Sequence, residues 1–352
     1  MRVLFFIVHP AKYHLFKNTF KLLQSDGCEF EVVISNKDIL SKLLTTANIP
    51  FTDIFPRGRK IPGLPFYLSA GINLIRTLWR LNRFTTGKKY DAFVTDDVLT
   101  ILGRLKGVPA IAFTDNDITT IPKVKSIFRF ADKIIAPHST NLGEFESKKI
   151  SFRGNKALAH LHPKYFSPDP SVINKYNLSG RRLLIIRLAS LTANHDLHGN
   201  AGITDSDLHD IFEIVPSTYT IIICAERSVP EKYERYISQI NENDFTQVLA
   251  QADFFIGDSG TMATEAAVCG VPNILINNVA KKCGVHMEMK EHKLQEYFDD
   301  YSNARATFRE MVSDPDIKRK YKMRSAEYAS GAEDFNEVLV TALKKIRKDV
   351  YN

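Results

Sequence analysis

Of 352 residues only four are cysteine and one is tryptophan. Cys28, Cys224, Cys269 and Cys283 are scattered, with no CxxC and no Cys/His pair at zinc spacing. That argues against a disulfide framework and against a structural metal. Cys224 and Cys269 sit in apolar runs and read as small core residues. No apolar run approaches the ~20 residues that cross a bilayer. There is no internal repeat and no low-complexity segment. The opening MRVLFFIVHPAKYH has an apolar stretch only from Val3 to Val8. It is too short for a signal-peptide core and ends in His-Pro instead of a small-residue cleavage site. It reads as a first β-strand, and the expected location is cytoplasmic, with the inner face of the membrane as a peripheral option.

What is present is ordinary for a globular protein: 44% hydrophobic and 25% charged residues. The length suits two domains better than one. A net charge of +7 favours an anionic partner: a nucleotide, a membrane surface or nucleic acid. Nucleic acid is the weakest of these. The basic residues are not interleaved with aromatics, and no recognition motif is present.

Short apolar strands alternate with helical stretches from the start. Strands are expected at Val3–Val8, Glu31–Ser35, Phe51–Ile54, Asp91–Thr95, Ala110–Phe113 and Lys133–Ala136. Helices are expected at Lys12–Ser25, Asp38–Ala47 and Leu68–Phe84. A turn-rich passage, SPDPSVINKYNLSG at 167–180, precedes a second series. That series has strands at Arg182–Arg187, Tyr219–Cys224, Phe254–Ile256 and Asn273–Ile276, and helices at Asp205–Ile214, Asp244–Ala250 and Gly260–Val268. Helix then runs from Tyr301 to about Arg347. Continuous apolar strands between helices mean parallel sheets covered on both faces. The expectation is two Rossmann-like α/β domains, 1–166 and 167–330, facing a central cleft, with a C-terminal helix at 331–352 packing back across them.

The sharpest motif is ADFFIGDSGTMATEAA at 252–267. A buried strand ends at Ile256, a tight turn with two glycines and the capping residues Asp258 and Ser259 follows, and a helix starts. Free N–H groups and the dipole at a helix start make an anion site. Gly260 lets phosphate approach the backbone. Glu265, a turn or so on, is placed to accept from two ribose hydroxyls. The plainer reading is that any strand-to-helix turn favours Asp, Ser and Gly.

This segment resembles the phosphate-and-ribose segment of GT-B sugar-nucleotide enzymes. It is similar to the DSGG-x-QEEA segment of UDP-N-acetylglucosamine 2-epimerases and to the SGA-x-T-x-x-E segment of MurG-type glycosyltransferases. The chain also resembles domain-of-unknown-function family 354 at HPAKYHLFKN (9–18), AFTD (112–115), ADKIIAP (131–137), GNKALAHLHP (154–163) and DSGTMATEAA (258–267). The resemblance implies a GT-B-type fold. Ser259, Gly260 and Thr261, with Asp258 at the turn, would hold the diphosphate of a nucleotide sugar, and Glu265 the ribose.

Further roles follow from the same resemblance. In inverting GT-B transferases a histidine in the loop after the first strand is the general base, which points to His14 and then His9. FVTDDVLTILG is similar to the epimerase segment with a catalytic aspartate, here Asp97. Asp115 falls near that family's catalytic glutamate. Asp96 and Asp97 can instead cap a helix. His195 resembles by position a nucleotide-contacting histidine. Arg187 ends a strand and can neutralise phosphate, and Glu226-Arg227 ends another near the base. The chain departs from the epimerases where they have GTRPE-like and PEE segments; it has HPAKYH and Pro122-Lys123-Val124.

The stretch from Pro56 to Phe84 mixes Arg57, Arg59 and Lys60 with a Pro-broken apolar segment, then a helix. It suits an acceptor or membrane side. The alternative is a core-packed helix with a solvated basic face. The Lys318–Lys320 and Lys344–Lys348 clusters read as solvated helix faces. His195-Asp196-Leu197-His198 is too weak a signal for a metal, and no bound cofactor is expected. The expected function is a metal-independent glycosyltransferase moving sugar from a UDP-sugar to a glycan or lipid-linked acceptor. A UDP-sugar 2-epimerase or hydrolysing relative is the alternative, and a non-enzymatic nucleotide or anion binder the third.

Overall fold

The computed structural model describes residues 1–35, 39–56, 58–59, 66–121, 124–190 and 202–351. It divides into two compact units. Met1–Ile118, Pro122–His160 and Glu333–Asn352 make the first; Thr119–Ile121 and Leu161–Ala332 make the second.

In the first unit the strands are β1 (Arg2–Ile7), β2 (Glu29–Ile34), β3 (Phe51–Asp53), β4 (Ala92–Thr95), β5 (Ala110–Phe113), β6 (Lys133–Pro137) and β7 (Lys149–Phe152). Between and after them lie α1 (Pro10–Ser25), α2 (Leu40–Thr46), α3 (Phe66–Thr85), α4 (Leu99–Lys106), α5 (Lys125–Phe130) and the short α6 (Leu158–Leu161). The strands form one sheet in the order β3-β2-β1-β4-β5-β6-β7, and every pairing is parallel. The continuous apolar run in RVLFFI suits β1 to the interior of the sheet, covered on both faces. Val3, Phe5 and Ile7 face one core with α1 and α2, while Leu4 and Phe6 face the other with α4.

The second unit begins with α7 (Pro170–Lys175) and β8 (Arg182–Leu188), then α8 (Asp205–Ile214), β9 (Tyr219–Ala225), α9 (Glu242–Leu249), β10 (Phe254–Gly257) and α10 (Gly260–Val268). It continues through β11 (Asn273–Ile276), α11 (Gly284–Glu291), β12 (Glu296–Phe298), α12 (Tyr301–Ser313) and α13 (Ile317–Gly331). Its sheet is again parallel, ordered β12-β11-β10-β8-β9. Leu184, Ile186, Phe254 and Ile256 pack on one face, with Leu183, Ile185 and Phe255 on the other.

The last helix, α14 (Phe335–Tyr351), belongs to the first unit, where Phe335, Leu339 and Leu343 join the core against α1. Asn336 locks that return: its side chain donates to Ala159 O at 3.0 Å and accepts from Thr19 Oγ1 at 2.8 Å. Among the described residues no helix is long and apolar enough to cross a membrane.

Candidate functional site

The sheet order of the second unit reverses between β8 and β10. Ligands of open α/β sheets bind beyond the strand ends at such a switch point. Here those ends carry Arg187 and Asp258. Gly257 is required for the closeness of the two strands, since a Cβ on it would lie 2.6 Å from Arg187 Cβ. Asp258 then turns inward. Its carboxylate accepts from Ala189 N at 2.6 Å and Ile203 N at 3.3 Å, and pairs with Arg227 at 2.8 Å. Arg227 also donates to Ala189 O and Ile203 O. Burial pushes the Asp258 carboxyl up, against the pull of Ala189 N and Arg227. As placed, Asp258 ties Ala189, Ile203 and Arg227 to the end of β10.

That helix is α10. Ala263, Ala266 and Ala267 are fully buried on its inner face, so it sits close on the sheet. Its N-cap, Ser259, has extended backbone, and the Ser259 side chain makes no capping hydrogen bond. The first-turn N–H groups have no acceptor within the helix, and the dipole there favours an anion. Thr261 is exposed, and Glu265, half-buried, follows at i+4 on the same face.

Sequence reasoning missed His286, on α11. A Cβ on Gly260 would meet His286 Nε2 at 2.8 Å. Because Cβ atoms tilt toward a helix's N-terminus, this nitrogen lies at the same end as the first-turn N–H groups. Its tautomer follows from a buried relay. Asn273 Nδ2 donates to Val271 O at 2.9 Å and to Leu294 O at 2.8 Å, which fixes the amide. Asn273 Oδ1 then accepts from Gln295 Nε2 at 3.1 Å. Gln295 Oε1, 2.8 Å from His286 Nδ1, must therefore accept, so Nδ1 carries a proton. No sequence spacing announces this chain, because its members meet only through the fold.

Beside α10 lies a cavity of about 320 Å³, lined among others by Arg187, Cys224, Ser238, Ile240, Phe245 and Met262. Arg187 is not a bare cation there. It bonds Glu226 and donates to Cys224 O at 3.4 Å, while its buried Nε has no hydrogen-bond partner among the described residues. Glu226 is turned to Arg187 and to Ser190 N, at 3.2 Å. Burial opposes its charge, but Arg187 prevails and holds it below the usual carboxylate range. Burial raises the Cys224 thiol to about 11, so it is no nucleophile. His195 and the HDLH run lie outside the described residues, as do Arg57 and Lys60.

In the first unit the order reverses between β1 and β4. His9 caps α1 there, its Nδ1 accepting from Ala11 N at 3.2 Å, with Pro10 starting the helix. His9 is therefore the N-cap residue of α1. His14 lies one turn further, its ring 5.3 Å from that of buried His160 and 5.2 Å from Tyr13. Lys12 pairs with Asp96 at 2.9 Å, and Lys156 with Asp115 at 2.6 Å. Both lysines fall in segments that carried the family resemblance, but a lone lysine in sequence reads as solvated.

Asp97 and Asp115 are set differently. Burial raises the Asp97 carboxyl, and Arg59 and Val98 N only partly offset it. Burial works the same way on Asp115, but Lys156 and Lys12 override it and hold the group low. Asp97 Oδ1 accepts from Val98 N at 2.6 Å, and Oδ2 lies 3.5 Å from Arg59. Arg59, expected on an acceptor or membrane side, is thus directed at Asp97. Its guanidinium also lies over Phe6 and Phe55, and its buried Nε and Nη2 have no hydrogen-bond partner among the described residues.

Two parallel-sheet α/β units with these switch points make a GT-B-type fold. The chain belongs to the family described as Protein of unknown function (DUF354), whose model matches residues 3–320. An uncharacterized protein of Methanocaldococcus jannaschii is 21% identical over 278 residues, covering 76% of this chain and 79% of that one. A UDP-GlcNAc 2-epimerase from Neisseria meningitidis, solved with UDP-GlcNAc, is similar with a TM-score of 0.73 at 14% identity, covering 98% of this chain and all (100%) of that one. MurG of Acinetobacter baumannii is similar with a TM-score of 0.58 at 14% identity, covering 98% and 99%.

Proposed function

We propose that the second unit binds a nucleoside diphosphate sugar, most simply a UDP-sugar, and that the protein is a glycosyltransferase. The observation that carries this is the start of α10 at the β8/β10 switch point, with the 320 Å³ cavity beside it. The cavity accepts a base, Glu265 the ribose hydroxyls, and the N–H groups at Ser259–Thr261 the diphosphate. Negative charge grows on that diphosphate as the C1–O bond breaks, so a fixed dipole there stabilises the transition state more than the ground state. His14 takes the proton from the acceptor hydroxyl as its oxygen bonds to C1. The acceptor class in this reading is a glycan or a lipid-linked sugar, in surface-polysaccharide or glycolipid assembly.

A second reading, a UDP-sugar 2-epimerase or hydrolysing relative, draws on the contrast between Asp97 and Asp115. Two carboxylates whose surroundings push them apart suit the two ends of a proton shuttle. The structural likeness to the Neisseria enzyme leads to the same alternative.

The experiment is calorimetric titration with UDP, GDP, CMP and ADP, followed by incubation with the matching sugar conjugates in D2O. Tight binding of one diphosphate is expected, with Glu265→Ala weakening it about tenfold. Deuterium at sugar C2 without an acceptor selects the epimerase. Binding of none of the nucleotides by the folded protein overturns both readings.

A further inference from the structure

From Ile54 to Tyr90 the chain carries eight basic residues and neither Asp nor Glu. The whole chain totals +7, so everything outside this stretch sums to −1. The excess charge of the protein is therefore held by one segment, and α3 is its core.

Position along α3 separates two faces. Thr77, Leu81 and Thr85 recur at i+4 and are buried. The opposite strip runs through Ile72, Ile75 and Trp79 to Arg83. Ile75 is 68% exposed and Trp79 58%. A core-packed helix with a wet basic side would place these the other way round. Arg83 continues the strip, 5.7 Å from the Trp79 ring centroid, whereas Arg76 and Arg80 are turned over buried Phe55 at 5.4 and 4.5 Å.

We propose that this face of α3 docks on an anionic lipid surface. Ile75 and Trp79 enter the interfacial region, and Arg83 beside Trp79 meets phosphate headgroups. A second copy is a poor occupant: a twofold contact would set the same arginines against each other, with no acidic residue on the helix to answer them. The proposal goes beyond the nucleotide-sugar reading and does not depend on it.

The test is co-sedimentation of the full chain with vesicles of phosphatidylcholine alone and of phosphatidylcholine with phosphatidylglycerol. Binding is expected only with the anionic vesicles, and raised salt should weaken it. The double variant Ile75→Ser/Trp79→Ser should bind about tenfold or more weakly, and Arg83→Glu several-fold. Melting curves and UDP titration report whether each variant keeps its fold and the separate nucleotide site. Unchanged sedimentation of the folded double variant overturns the proposal, as does failure of the wild type to bind anionic vesicles. A dimer that the same double substitution dissociates in size-exclusion chromatography also overturns it, in favour of a second copy.

Discussion

Gly260 and His286 touch at the start of α10 so closely that no other residue fits at 260 without moving the imidazole: a Cβ would lie 2.8 Å from Nε2. The ring cannot readily give way, because Nδ1 is held by Gln295 and Gln295 by Asn273. Gly260→Ala should therefore weaken UDP binding about tenfold, the cost of a steric insertion into packed structure. Calorimetric titration measures it. Adding His286→Ala removes the obstruction, so the double variant should lose less than the two single losses combined. Strict additivity would mean that the two residues do not act on one site.

Asp258 has a different part in the same turn. With three partners and a fully buried side chain, it ties Ala189, Ile203 and Arg227 to the end of β10. Asp258→Ala leaves Arg227 without its carboxylate and two N–H groups without acceptors. A loss of about 3 kcal/mol is expected in urea unfolding. A ligand-contacting aspartate would instead lower UDP affinity and leave stability nearly unchanged.

Most of the fold was legible because the strands are continuous apolar runs. VLFFI, IIIC and FFI leave little choice but buried parallel strands. The strands at Lys149–Phe152 and Glu296–Phe298 were not legible. Both are short edge strands, and neither forms a continuous apolar run. The motif at 258–265 was legible as a helix start with anion-binding chemistry, because capping and glycine requirements are local. The inward turn of Asp258 was not, since its partners lie at 189, 203 and 227. Nor were the salt bridges of Lys12 and Lys156, which depend on which strands become neighbours. On α3 the periodicity is plain in sequence, but which side is buried depends on the sheet beneath it.

His14 tests the chemistry apart from binding. It lies in the first unit, and the residues assigned to the nucleotide lie in the second. His14→Ala should cut release of UDP from the sugar donor on the order of a thousandfold, within the range lost with a general base. The UDP dissociation constant should stay within about twofold. His14→Gln, which keeps bulk but not basicity, should be equally slow. If it turns over like the wild type, the proton goes elsewhere.

Asp97 and Asp115 should respond to pH with opposite signs. Asp115 is held below the ordinary carboxylate value of about 3.9. The folded state then binds fewer protons than the unfolded one near that pH. Its contribution is present above about pH 4 and lost as pH falls through the lowered value. Asp115→Asn at neutral pH leaves Lys156 without its 2.6 Å partner and should cost about 3 kcal/mol. Asp97 is raised by burial, so the folded state favours its protonated form. Its favourable contribution is full below about pH 4 and lost as pH rises through the raised value. Asp97→Asn should therefore be nearly neutral for stability at pH 7, and its stability relative to wild type should improve as pH rises from 4. Urea unfolding of both variants between pH 3 and 8 gives the comparison. Parallel profiles would remove the asymmetry on which the proton-shuttle alternative rests.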